Sequence, residues 1–273
     1  MSWDIGLGTG IAYRHPITEA LRPIAESGVR LIEISTAPGH LDLHHLDRLP
    51  EVRRQVADLG LRVHSLHAPF GHVVNLTSPD PAVRRRSLER LTRAADALEF
   101  LGGHLYVIHP GGEDQRWVWD RDARLALSVE GLARVWEACR MRGLMLVVET
   151  PLPHLLGGQP ADFDWVLERL PREGTGVCVD TSHTSLGGFL LERLERLGPL
   201  LVHIQVSDNR GVTDDHLPPG EGIIDWSLVL AALERVAYRG VFMLEVAGNG
   251  DVRSHVRRAA ESARRLLGLR APA

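Results

Sequence analysis

The sequence predicts a single (β/α)8 barrel, and three observations carry that prediction. Short apolar, β-branched runs alternate with longer amphipathic stretches eight times along the chain, the signature of strand–helix units. Most of the short runs are continuously apolar and end in a polar residue, as parallel strands covered on both faces do. No linker, low-complexity tract or break in composition divides the 273 residues, and such a barrel typically takes about 250. One domain over residues 1–273 follows; a doubly wound open sheet is the alternative that the alternation leaves.

The elements follow in order. A strand over residues 4–8 leads to a helix over 16–27, with Pro16 in its first turn and Gly28 at its end. The second unit pairs 31–35 with 50–59, between Pro50 and Gly60, and the third pairs 61–67 with 81–101, between Pro81 and Gly102. Proline fits a first turn because its missing N–H has no helical partner there, and glycine closes a helix by taking the left-handed conformation. The fourth strand, 105–109, precedes a helix over 123–142 capped by Gly143, and the fifth, 144–150, one over 161–170. Strands over 176–180, 201–207 and 241–246 precede helices over 188–197, 226–238 (before Gly240) and 252–267. The arginines at 84–86 and 253–265 fall on helix faces that an outer ring turns to solvent.

Composition narrows the function. With 44% hydrophobic and 24% charged residues and a net charge of −4, the chain reads as a globular protein rather than a disordered or fibrous one. All 31 basic residues are arginine. Without lysine there is no Schiff-base aldolase, pyridoxal phosphate enzyme or Walker-type phosphate loop. The two cysteines, Cys139 and Cys178, lie in a helical pattern and an apolar run; both read as buried, reduced thiols, which suits a cytoplasmic protein. No run approaches the roughly 18 apolar residues of a membrane span. The charge balance gives no general attraction to nucleic acid, although a local basic patch is compatible with it.

The functional signal lies at the strand ends, where a barrel of this kind carries its chemistry. His67 closes the third strand in HSLHAPF, His109 the fourth in VIHPGG, and Glu149 the fifth in VVETP. Asp180 and His183 follow in VCVDTSH, His203 in VHIQVSDN, Asp214 and His216 in DDHLPPGEG, and Glu245 in MLEV. Nine imidazoles and carboxylates on one rim would strongly destabilise the fold unless cations neutralised them. Their mixed nitrogen and oxygen atoms suit zinc or manganese better than magnesium or calcium. Other histidines read as structural: His40, His44 and His45 as loop surface, His104 and His255 as solvent or helix-edge positions, and His64 as part of the barrel wall. His72 and His154 lie in rim loops within reach of a substrate, and Glu33 either lines the floor or pairs with an arginine.

These motifs resemble the xylose isomerase-like TIM barrel superfamily, which includes sugar phosphate isomerases and epimerases and endonuclease IV. VCVDTSH, HIQVSDN and DDHLPPGEGIIDW carry most of the resemblance, and SLHAPF and VIHPGG extend it along nearly the whole chain. Ketose 3-epimerases of the superfamily hold one metal with two glutamates, an aspartate and a histidine, matched here by Glu149, Asp180, Glu245 and His203. Endonuclease IV holds three zinc ions with nine ligands, and all nine rim residues match them in type. The chain departs from the epimerases in reading ETPLPHLL where they carry a further glutamate, and in placing Arg210 one residue from their substrate-binding arginine.

The resemblance implies a divalent-metal-dependent isomerase or epimerase of a sugar or sugar phosphate, with one to three zinc or manganese ions. Glu149 and Glu245 would exchange the proton, His183 would hold a substrate hydroxyl, and Arg210, His72 and Glu33 would contact the substrate. The alternative is an endonuclease IV-like zinc phosphodiesterase acting at abasic sites, with DNA as partner. Phe70 would be its wedge, and Arg14, Arg116, Arg121 and Arg210 are the rim cations it would have. A cyclic hydroxy-acid dehydratase and a non-catalytic metal-storing barrel are further readings.

Overall fold

Alternation within each strand builds the barrel from both sides. In the computed structural model, which describes residues 3–43, 45–71, 74–112, 120–248 and 250–270, the strands are β1 (Ile5–Gly8), β2 (Leu31–Ser35), β3 (Arg62–His67), β4 (Leu105–Ile108), β5 (Met145–Glu149), β6 (Thr175–Asp180), β7 (Leu201–Val206) and β8 (Phe242–Leu244). Each pairs in parallel with the next, and β1 pairs with β8 to close the ring. The open-sheet alternative is therefore excluded. Outward residues such as Leu146, Val148, Val177 and Ile204 belong to the main core beneath the helices. Inward residues Leu105, Val107, Val147 and Cys178, with Met145 and Val202, fill the lower barrel. Each fully buried aliphatic side chain stabilises the wall by roughly 1.5–3 kcal/mol.

The same period places the chemistry. On β5 the inward row runs Met145, Val147, Glu149, and on β6 Gly176, Cys178, Asp180, so the last inward residue of each strand reaches the C-terminal mouth. Two irregularities re-aim neighbouring side chains, one between Ile32 and Glu33 against β3 and one between Val177 and Cys178 against β7. Where β1 meets β8, a Cβ on Gly6 would lie 2.5 Å from Met243 Cε and 2.8 Å from its sulfur; glycine there leaves room for Met243.

The helices are α1 (Ile17–Glu26), α2 (Leu49–Asp58), α3 (Pro81–Leu101), α4 (Arg121–Arg140), α5 (Pro160–Leu167), α6 (Thr181–Leu186), α7 (Leu190–Leu197), α8 (Trp226–Arg235) and α9 (Val252–Leu266). Five begin on an aspartate whose side chain accepts from first-turn N–H groups: Asp80, Asp120, Asp180, Asp225 and Asp251. The sequence signals for helix ends mostly hold, with Gly28, Gly60, Gly102 and Gly143 all at positive φ. After α8 the left-handed residue is Ala237 (φ 53) rather than Gly240. The stretch after β6 also differs: α6 starts directly behind the strand, capped by Asp180, whose carboxylate accepts from the His183 N–H at 2.7 Å. His40 is buried rather than at the surface. Its Nδ1–H donates to the His15 carbonyl at 2.7 Å, and its Nε2 accepts from the Thr9 hydroxyl at 3.0 Å.

Candidate metal centre

Three groups of ligand-type side chains assemble at the C-terminal mouth. His67 at the end of β3, His109 just after β4 and Glu149 at the end of β5 form the first. His67 Nε2 lies 3.0 Å from Glu149 Oε2, and His109 Nε2 lies 3.2 Å from Oε1. The second group is His183, Asp214 and His216, with Asp214 Oδ2 lying 3.2 Å and 2.9 Å from the two Nε2 atoms. Glu149, Asp180 and His183 form the third. Within each group the candidate ligand atoms lie within 4.8 Å of one another.

The loop after β7 owes its shape to Asp208, a buried carboxylate that accepts from the Asn209, Gly220 and Ile224 N–H groups and from Trp226 Nε1. A backbone bridge between Asp208 and Leu217 closes the loop, so Asp214 and His216 are held above the barrel. His216 sits at φ 46, a conformation that side chains other than glycine adopt seldom and at some cost. Its ring Nδ1–H donates to the Glu245 carbonyl at 2.9 Å, and its own carbonyl accepts from the Ala247 N–H at 2.9 Å.

The hydrogen bonds of the rings decide which nitrogen faces the centre. His67 Nδ1 meets the Ala68 carbonyl at 2.8 Å, His183 Nδ1 the Thr150 carbonyl at 3.0 Å, and His216 Nδ1 the Glu245 carbonyl. A carbonyl only accepts, so each Nδ1 carries the hydrogen, and a neutral ring aims its Nε2 lone pair at a carboxylate. Lone pair would then face lone pair. Either a second proton or a cation must lie between them, and a back-side carbonyl of this kind is the usual outer support of a metal-binding histidine.

The electrostatics agree with that argument. Burial would lower the His67 and His216 imidazoles, but the facing carboxylates, Glu149 for His67 and Asp214 with Glu245 for His216, outweigh it and hold both at about 10. Burial raises Asp180, with Asp214 and Glu149 adding to it, and raises Glu245 well above the ordinary carboxylate range, with Glu149 and Asp180 adding to it. Glu149 is held well below that range, because His109 and His67 outweigh its burial. Three buried carboxylate oxygens, Glu149 Oε2, Asp180 Oδ2 and Glu245 Oε2, have no hydrogen-bond partner among the described residues. The free oxygens of Asp180 and Glu245, and the Glu149 oxygen that His67 Nε2 faces at 3.0 Å, fit a divalent cation.

The model of the xylose isomerase-like TIM barrel family matches residues 21–268. The chain belongs to this family. An uncharacterised protein of Methanocaldococcus jannaschii is 25% identical over 94% of this chain and 87% of its own. A probable endonuclease 4 of Thermoplasma acidophilum is 26% identical over 55% of this chain and 50% of its own. Among solved structures, a D-tagatose 3-epimerase-like protein superposes with a TM-score of 0.86 at 22% identity, covering 98% of this chain and 97% of its own. An L-ribulose 3-epimerase superposes at 0.81 and 19%, covering 98% and 95%. At such identities the likeness carries the fold.

Against the expected nine, this xylose isomerase-like barrel brings together His67, His109, Glu149, Asp180, His183, Asp214, His216 and Glu245 around one mouth. His203 stands apart. It is in register with Cys178, one inward step below Asp180, and its Nε2 donates to Glu33 at 2.9 Å on the barrel floor. The β7 residue in register with Asp180 is Gln205. The strand period holds the signal for this: in VHIQV the inward residue nearer the mouth is two positions beyond His203. Glu33 also lies beneath the centre, accepting from Ser65 Oγ, His203 Nε2 and Gln205 Nε2. It lines the floor and pairs with a histidine instead of an arginine.

The cleft has two lobes that share Phe70, His216 and Glu245. The metal-type lobe, about 210 Å³, is also lined by Leu152, His154 and Leu155. The second, about 250 Å³, is lined by Tyr13, Arg14 and Ser35, residues that no motif had singled out for a substrate pocket. Phe70 packs on the His67 and His109 rings, with centroids 5.0 and 5.6 Å apart, so it walls the cleft. Arg210 is exposed, pairs with Asp215 at 3.5 Å and lines neither lobe. Arg121 is paired with Asp162 and Asp122. His72, Arg116 and His44 lie outside the described residues.

Proposed function

We propose that the protein is a divalent-metal-dependent isomerase or epimerase of a sugar or sugar phosphate. The observation that carries the reading is the set of buried carboxylate oxygens on Glu149, Asp180 and Glu245 without a hydrogen-bond partner among the described residues, with Glu149 and Glu245 lining the same lobe of the cleft. The sugar 3-epimerase names of the solved structures that share the fold support it. Zinc or manganese, one to three ions, would be held by Glu149, Asp180 and His183, by His67 and His109 with Glu149, and by His183, Asp214 and His216, with Glu245 lining the same lobe. When bound, such an ion polarises a carbonyl and acidifies the C–H beside it.

The chain's own residues would supply the rest. Glu149 on β5 and Glu245 after β8 approach the cleft from separated strands, so one takes the proton from the substrate carbon and the other returns it. His183, in the same lobe, holds a neighbouring hydroxyl. Phe70 covers one side of the cleft and limits water. Arg14 and the Tyr13 hydroxyl, which burial and then Glu245 keep protonated, would bind the far end of the substrate in the second lobe. A guanidinium there suits a phosphorylated end.

The reaction is tested in D2O. A panel of ketoses, aldoses and their phosphates, incubated with metal-loaded protein, is expected to gain deuterium at the carbon beside the carbonyl, as read by NMR. Absence of exchange across the whole panel would sink the reading. Zinc or manganese at 100 times its Kd is expected to stabilise the fold by about 2.7 kcal/mol. For a chain of this size that raises the melting temperature by roughly 5–10 °C, reversibly with EDTA; an unchanged melting curve with both metals would refute metal binding.

A second reading, an endonuclease IV-like phosphodiesterase, draws on one observation: the ligand groups adjoin, and Glu149 belongs to two of them. Multi-ion centres clamp phosphoesters in this way. Nicking of a duplex containing an abasic site, lost in EDTA, would establish it, and an intact duplex at high protein concentration would remove it.

A further inference from the structure

The segment between β5 and α5, residues 150–159, closes one side of the metal-type lobe. Pro151 and Pro153 bring no N–H to it. Its carbonyls are largely spent within the fold. That of Thr150 accepts from His183 Nδ1 at 3.0 Å, that of Leu152 from the Leu155 N–H at 2.9 Å, that of Pro153 from Gln159 Nε2 at 2.7 Å and that of Leu155 from the Gly158 N–H at 2.9 Å. A Cβ on Gly158 would run into the Leu152 carbonyl oxygen, so glycine is what lets this turn close on itself.

What the turn presents to the cleft is therefore apolar. Leu152 and Leu155 line the lobe together with Phe70. His154 lines it too, but is exposed and keeps its water. The second lobe has the opposite character, with the phenol of Tyr13, the guanidinium of Arg14 and the hydroxyl of Ser35 along it. Glu245 lines both lobes. The cleft is thus polar at one end and apolar at the other, with a proton-transfer group between.

We infer that the substrate is a terminally deoxygenated sugar: its methyl end packs on Phe70, Leu152 and Leu155 while its polar end reaches Arg14. A terminal hydroxyl carried into the leucine corner would lose its water and gain no partner, the costly direction for a polar group. An apolar pocket turns away an added hydroxyl by about 100-fold at best, so the device gives preference rather than exclusion. The inference deepens the proposed sugar chemistry and rests on it; it does not depend on which cation is bound or on how many.

Paired substrates test it. Ketoses and aldoses of the D and L series, each beside the analogue whose terminal hydroxymethyl is a methyl, are incubated with metal-loaded full-length protein in D2O; in the ketoses both ends are tried. Deuterium uptake beside the carbonyl, followed by NMR, is expected to give the deoxygenated member of the best pair a kcat/KM higher by roughly 10–100-fold. Leu155→Gln, which brings a donor and an acceptor to the corner, is expected to lower that ratio about tenfold. The change should fall on KM rather than kcat, because the new contact is made before and during reaction alike. A melting curve checks that the variant folds; Leu152→Gln serves if it does not, and the wild-type ratio stands without either.

Equal or faster exchange of the hydroxylated partner in every reactive pair would overturn the methyl-end assignment while leaving the sugar chemistry standing. So would a folded Leu155→Gln protein with an unchanged ratio. No exchange from any member of the panel would overturn the sugar reading, and this inference with it.

Discussion

Glu149→Gln is expected to slow deuterium exchange into a substrate sugar by about 10²–10⁴-fold, the span associated with losing a positioned proton-transfer group. Glu149 belongs to two of the three ligand groups, so the substitution also removes an anionic ligand from both. Metal content per chain should fall together with the rate. Glutamine preserves the volume of this buried side chain, and far-ultraviolet circular dichroism should be unchanged. Exchange at the wild-type rate, measured by NMR at saturating metal, would show that the proton moves elsewhere.

Asp164→Ala is expected to cost about 3–5 kcal/mol, because it leaves a buried charge without its partner. Arg193 on α7 is only 1% exposed, and its Nη2 donates to Asp164 Oδ1 at 2.6 Å; Arg196 donates to the other oxygen at 2.6 Å. Chemical denaturation measures the loss, and the double variant Asp164→Leu with Arg193→Met should recover most of it. Burial works against the Asp164 carboxylate, but the two guanidiniums hold it below its ordinary range. Its contribution is therefore fully present above the unfolded carboxylate value, about 3.9, and is lost as pH falls through the lower folded value. The single variant should flatten that acid slope; an unchanged slope would show that the pair does not set acid stability.

Much of the molecule was legible because two periods, 2 and 3.6, run through it with little interference. Eight apolar runs gave eight strands, and Leu146 and Val148 alternate with Val147 and Glu149 as the pleat requires. Strand ends were legible for the same reason, since Glu149 and Asp180 are the first polar residues after apolar runs. What stayed hidden depends on register. The period of VHIQV puts Gln205 one inward step nearer the mouth than His203, but which of the two stands beside Asp180 is set by a bulge at Val177/Cys178 that the sequence does not mark. His40 read as surface because its partners, the His15 carbonyl and the Thr9 hydroxyl, come from another segment. The second lobe was hidden too, as Tyr13, Arg14 and Ser35 gather only when the ring closes.

The knot of Glu33, Ser65, His203 and Gln205 has a kinetic corollary. Among the described residues it fills the barrel beneath the cleft, so small molecules would reach the proposed site from the C-terminal mouth. Whatever enters must depart by the route it came, so reactant and product compete for one vestibule. Inhibition by accumulated product should then be purely competitive, with slopes of double-reciprocal plots changing and their intercepts fixed.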